Sequence, residues 1–135
     1  MEDGNPPTGW GAMYAPEIFE RSAVQKYSGF YAAHIIDSAA SFGGFQKNII
    51  WQPGKTYKVS FWYFVVNGTL WAKGVDNDGV TELWSAMNLT GANWQYKEYI
   101  VNPSLGPGFG WFGFFNASDL VAAEFYIDDV SIGEI

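Results

Sequence analysis

From about residue 17 to the C-terminus, the chain is a series of short runs rich in Val, Ile, Tyr, Phe and Trp, each alternating with polar residues. Gly, Pro, Asn or Asp punctuates them at intervals of about 8–12 residues, the spacing of an all-β sandwich or barrel. No segment repeats its apolar residues at helical spacing. The pattern predicts strands over 17–23, 29–37, 43–51, 55–66, 69–76, 80–87, 93–101, 108–116 and 122–132, with a Pro-rich loop over Gly4–Gly9. At 135 residues the chain reads as a single domain, 1–135, without a linker, a charge block or an internal repeat.

Pro53-Gly54, Asn67-Gly68 and Asp78-Gly79 are turn signals, because Gly supplies the positive φ of a tight turn. If Asn67-Gly68 closes a two-residue hairpin, Phe64 lies opposite Trp71 and Trp62 opposite Lys73. Alternation then turns Tyr57, Val59, Phe61, Tyr63 and Val65 to one side, with Leu70 and Ala72 beside them. Lys58, Ser60, Trp62, Phe64, Trp71 and Lys73 turn to the other. In the next strand Leu83 and Met87 read as core, and Glu82 and Trp84 as outward. A turn at Asn77-Asp78 or at Asp78-Gly79, or a four-residue loop over Asp76–Gly79, shifts that last pairing. The four-residue loop sets Trp71 against Trp84 and Lys73 against Glu82.

Composition sharpens the point. Phe, Trp and Tyr are 19% of the residues, seven of them Trp, and a core of this size uses only some of those rings. A solvated sheet face is normally Thr, Ser, Lys and Glu, yet this one carries Trp62, Phe64, Trp71 and Trp84 among Lys58, Lys73 and Glu82. Sugar rings pack their C–H faces on indole while their hydroxyls need polar partners, and such a face supplies both. The alternative is a covering loop or second layer, which would bury the three charged residues along with the rings. Over 109–116, Phe109, Trp111, Gly113 and Phe115 share one face, and Trp111 is the candidate ligand ring.

Other classes are disfavoured. The net charge of −7 opposes nucleic acid or an anionic membrane as partner. No apolar run approaches the roughly 20 residues of a membrane span, so membrane insertion is not expected. With no Cys, disulfides and Cys-ligated zinc are excluded. Glu17, Glu20, Glu82, Glu98 and Glu124 show no pairing that would suit glycoside hydrolysis. His34 is the single His and reads as a partly exposed strand residue; no Gly-x-Ser-x-Gly elbow is present, so catalysis is not expected.

Several segments, in order, resemble the carbohydrate-binding modules of families 4, 9 and 22. They are Gly9-Trp10 after the Pro-rich loop, Lys47–Tyr57 (KNIIWQPGKTY), Val59-Ser60-Phe61-Trp62, and the strand opened by Trp94 with Tyr96, Glu98 and Ile100 before Pro103-Ser104. The closing run Phe125–Ile132, with its Asp128-Asp129 pair, completes the set. The resemblance implies an antiparallel jelly-roll β-sandwich of about nine strands holding a polysaccharide or oligosaccharide. It also implies a structural calcium away from the sugar, with Glu2 and Asp128 at the matching positions. The chain lacks the Asn-Gly-x-Phe part of the N-terminal calcium motif. By the same comparison Trp10, Trp62 and Trp94 are structural, while Trp111 and Phe45 fall where sugar contacts are often placed. Residues expected at the ligand are therefore Trp71, Trp84, Trp111, Phe45, Phe64, Lys73 and Glu82.

Two functional expectations follow. The first is a non-catalytic glycan-binding module in a secreted protein, next to enzyme domains. The second, motivated by Met1 with no signal peptide after it, is a virion or surface-assembly protein that uses the sandwich to contact other virion domains.

Overall fold

The computed structural model describes residues 4–7, 9–14, 16–38 and 42–135. Among these the chain forms ten strands and no helix: β1 (Gly11–Met13), β2 (Ile18–Ser22), β3 (Ala32–Asp37), β4 (Gly44–Ile49), β5 (Tyr57–Asn67), β6 (Leu70–Val75), β7 (Glu82–Leu89), β8 (Gln95–Val101), β9 (Gly110–Asn116) and β10 (Ala123–Glu134). They make two five-stranded antiparallel sheets, a first in the order β1-β4-β9-β6-β7 and a second in the order β2-β3-β10-β5-β8. The architecture is the expected jelly-roll sandwich. The nine predicted strands all appear, with β1 in addition.

The core lies between the sheets and is built by alternation. Val59, Phe61, Tyr63 and Val65 of β5, with Phe125 and Ile127 of β10, meet Phe45, Leu70, Ala72, Phe112 and Phe114 of the first sheet. Each Val, Leu, Ile or Phe side chain among them contributes about 1.5–3 kcal/mol by leaving water. Phe114 sits at the centre, 5.3 Å from Phe45 and 4.9 Å from Phe61 between ring centroids.

The hairpin expected at Asn67-Gly68 does not form. β5 belongs to the second sheet and β6 to the first, so the chain crosses the sandwich at this point. Gly68 has φ +73°, and a Cβ there would lie 2.4 Å from the Ala122 carbonyl oxygen and 2.8 Å from Ala123 Cα. The close approach of the β10 backbone, as well as the positive φ, requires glycine. The inward residues of β5 were read correctly, but the outward ones face away from those of β6. Phe64 and Trp62 therefore lie on one outer surface and Trp71 on the opposite one.

Trp84, expected to face outward, faces inward. Between Gly74↔Trp84 and Val75↔Glu82 the β6–β7 register slips, leaving Leu83 as an extra residue. This bulge keeps Glu82 outward and turns Trp84 into the core, where it is 6% exposed. It lies over Gly74, whose absent Cβ would sit 2.3 Å from Trp84 Nε1.

Candidate functional site

The outer face of the first sheet can be mapped from its pairings. One row across the strands runs Gly11–Gln46–Gly113–Lys73–Ser85. A second, on one side of it, runs Met13–Gly44–Phe115–Trp71. The third, on the other side, runs Asn48–Trp111–Val75–Glu82. The middle row is low because glycine occupies it at Gly11 and Gly113, and the flanking rows carry Trp71 and Trp111. The result is a trough crossing the strands, with an indole on each side.

Both indoles are held in place by their own N–H groups. Trp71 Nε1 donates to Ser85 Oγ at 3.0 Å, and Trp111 Nε1 donates to the Gly79 carbonyl at 3.3 Å. With the N–H engaged, the ring faces are what each indole can offer a ligand. Phe115 lies beneath them, 6.2 Å from Trp71 and 5.9 Å from Trp111. A cavity of about 150 Å³ opens here, lined by Tyr14, Phe42, Trp71, Lys73, Trp111 and Phe115. Tyr14 and Phe42 both adopt left-handed backbone conformations, with φ of 55° and 58°. Such strain costs about 1–3 kcal/mol per residue and concentrates at functional sites. Neither residue was legible as a site residue in the sequence, since positive φ at an aromatic has no sequence signature.

Lys73 reaches both indoles. Its ammonium lies 4.4 Å from the Trp71 ring and 5.1 Å from the Trp111 ring, both within cation–π range. Glu82 Oε1 is 3.9 Å away. The structure thus brings together Trp71, Trp111, Lys73 and Glu82 from the expected set, and adds Tyr14, Phe42, Phe115, Gln46 and Asn48.

Three expected ligand residues lie elsewhere. Phe45 is 0% exposed, because β4 turns it to the core and presents Gln46 and Asn48 outward. Trp84 is stacked on Tyr99 inside the sandwich, 4.9 Å between centroids. Phe64 is on the outer face of the second sheet, packed edge-on against Trp94 and Tyr126. Trp62 is on that face as well, covered by Tyr27 at 3.8 Å and 12°. His34, expected to be partly exposed, is buried there instead. It stacks on Tyr126, with Glu124 Oε2 at 2.7 Å from Nε2 and Glu20 Oε1 at 3.5 Å from Nδ1.

Of the two carboxylates assigned to calcium, Glu2 lies outside the described residues. Asp128 is buried, and its oxygens accept the backbone N–H groups of Tyr27 at 2.9 Å, Ser28 at 3.1 Å and Asp129 at 2.8 Å. Among the described residues no three His, Cys, Asp or Glu side chains gather where they could hold a metal ion. Calcium takes six to eight oxygens, backbone carbonyls among them, and the described contacts of Asp128 are N–H groups that donate to its carboxylate. These contacts anchor the Tyr27–Ser28 backbone. A second cavity, about 280 Å³, lies beside Trp10, Lys47, Asn48, Ile49, Phe112, Val130 and Ile132. It has one indole among its lining residues, where the trough has two.

By sequence, no protein-family model and no curated protein matches this chain. By structure, the fold is that of carbohydrate-binding modules. The CBM22-1 xylan-binding domain of Paenibacillus barcinonensis Xyn10C superposes with a TM-score of 0.75 at 16% identity, covering 99% of this chain and 90% of that one. The C-terminal family 22 module of Clostridium thermocellum Xyn10B gives 0.74 at 18% identity, with 94% and 87% covered. The enzymatically active domain structure of tailspike protein 4 of bacteriophage CBA120 gives 0.74 at 14% identity, with 95% of this chain but 20% of that one. At these identities the likeness is one of fold, and it agrees with the resemblance carried by the ordered motifs.

Proposed function

We propose that the chain is a non-catalytic glycan-binding module whose site is the trough on the outer face of the first sheet. One observation carries this reading: two indoles, each oriented by its own N–H bond, flank a row that alternates glycine with the polar side chains of Gln46, Lys73 and Ser85. Sugar C–H faces would stack on Trp71 and Trp111, and hydroxyls would meet Lys73, Gln46 and Asn48. The five strands give a trough of about 19 Å, enough for a short run of sugar rings in a linear chain. The similarity to xylan-binding modules supports a polysaccharide as the ligand. Binding in the micromolar to millimolar range is expected, worth about 4–8 kcal/mol. Calorimetry against soluble polysaccharides tests it: Trp71→Ala and Trp111→Ala should each abolish or weaken binding. Unchanged affinity in both would remove this site.

The tailspike similarity favours a second reading, in which the same sandwich is a domain of a virion protein and the exposed rings contact other subunits. Self-association or capture by a neighbouring virion protein, without glycan binding, would support it. The first reading places the chain outside the cell in a secreted protein, the second on a virion. Calcium at Glu2 and Asp128 is a separate proposal, motivated by the family resemblance at Asp128. A melting temperature that falls in EDTA and returns with calcium would support it, and an unchanged one would dismiss it.

A further inference from the structure

Lys73 is the one Lys or Arg that the strands of the first sheet turn to the trough face, among the described residues. It stands in the low row between Gly113 and Ser85. Its side chain is 19% exposed, because the two indoles hold the ammonium against the trough floor instead of releasing it to water. The neighbouring carboxylate does not satisfy it closely. Glu82 Oε1 is 3.9 Å away, well beyond the roughly 2.7–2.9 Å of a charge-assisted hydrogen bond, and half of Glu82 is in solvent. A partly desolvated ammonium with a distant counter-charge, set among sugar-stacking rings, is best completed by an anionic acceptor on the ligand.

We propose that Lys73 makes the trough selective for a glycan that carries carboxylates, that is, uronic acid groups. This rests on the glycan-binding reading above. The charge of the chain limits it further. With a net charge of −7, the protein repels a polyanion at long range, whereas one ammonium can pair with one carboxylate at short range. The preferred ligand is thus a largely neutral chain with isolated uronic acids, and not a polyuronate. Neutral rings stack on Trp71 and Trp111 while a single carboxylate takes the ammonium from Glu82.

The test compares glucuronoxylan with the same polymer after reduction of its carboxyls to alcohols, by calorimetry at low and high salt. The wild-type protein should bind the carboxylated polymer about tenfold more tightly, as expected for a charge-assisted hydrogen bond. High salt should shrink that ratio. Polygalacturonate, a polyanion, should bind more weakly than glucuronoxylan. In Lys73→Met the two xylans should bind with equal affinity, whatever affinity is left. In Glu82→Gln, which removes the competing carboxylate, the ratio should rise above that of the wild type. Equal binding of the two polymers to the wild type overturns the role of Lys73 and leaves the trough intact. Binding of neither overturns both. If Lys73→Met does not fold, the wild-type comparison and Glu82→Gln still decide.

Discussion

The indole N–H of Trp111 donates to the carbonyl of Gly79, 3.3 Å away, so a ring on β9 takes its orientation from the loop between β6 and β7. That loop is closed by backbone bonds from Asp76 to Thr81 and from Gly79 to Asp76. Trp111→Phe keeps an aromatic face but loses the tether. It should weaken glycan binding by about three- to tenfold, in keeping with one hydrogen bond, while Trp111→Ala should remove detectable binding. Isothermal titration distinguishes the two; equal losses would mean that the tether does not matter.

The same loop predicts a pH response. The Thr81 hydroxyl, followed by the Thr81 and Val80 amides, holds the Asp78 carboxyl below its ordinary value of 3.8. A lowered carboxyl contributes order that is present above the unfolded value and lost as pH falls through the folded one. Binding through Trp111 should therefore be level from neutral pH to about pH 4 and decline below it. Thr81→Val should move the decline to higher pH.

Asp128 has the opposite slope. Burial pushes its carboxyl above 3.8, against the pull of its three amide bonds. A carboxyl raised on folding favours the native state below the unfolded value, and that advantage is lost as pH rises through the folded one. The melting temperature of the wild type relative to Asp128→Asn should accordingly fall as pH rises through the window just above 3.8. A relative melting temperature that climbs there would make the hydrogen bonds, and not burial, the dominant influence.

Trp84 separates packing from binding. Its Nε1 is buried and has no hydrogen-bond partner among the described residues. Trp84→Phe removes that stranded donor while keeping a ring against Tyr99, so thermal unfolding should change by about 1 kcal/mol or less. Trp84→Ala should cost about 3–5 kcal/mol by leaving a cavity. Neither should alter glycan affinity in the folded fraction. A binding defect in Trp84→Phe at native stability would return this residue to the site.

Gly113 has no room to spare. A Cβ there would lie 2.6 Å from the Phe115 ring and 2.7 Å from the Phe45 carbonyl. Gly113→Ala should destabilise by about 1–3 kcal/mol and displace Phe115 from beneath the two indoles. Near-ultraviolet circular dichroism and calorimetry should change together.

The class of fold was legible because it depends on local alternation, and β5 shows how far that reaches. Its inward set, from Val59 to Val65, came directly from the period of two. What alternation does not encode is which strand lies beside which. Asn67-Gly68 has the composition of a hairpin turn, but the same glycine serves where a crossing chain presses on Ala122 and Ala123. That ambiguity put Phe64 on the same surface as Trp71. A bulge at Leu83, equally silent in sequence, reversed Trp84. Lys73 was read on the correct face because the slip lies in β7 and leaves the alternation of β6 intact, and Glu82 because it precedes the extra residue Leu83. Trp111 was read without needing the hairpin, from the alternation of its own strand.

The crossing at Gly68 is one of several: β1 is in the first sheet, β2 and β3 in the second, β4 in the first, β5 in the second, β6 and β7 in the first, β8 in the second, β9 in the first and β10 in the second. Neither sheet is built from consecutive strands, so the trough cannot assemble from a short fragment. Its central strands β4, β9 and β6 come together only when distant parts of the chain have already met, the kind of topology that folds slowly and all at once. A truncation at either end, or a nick in a middle loop, should thus erase glycan recognition and the fold in the same step, leaving no half-module that still binds.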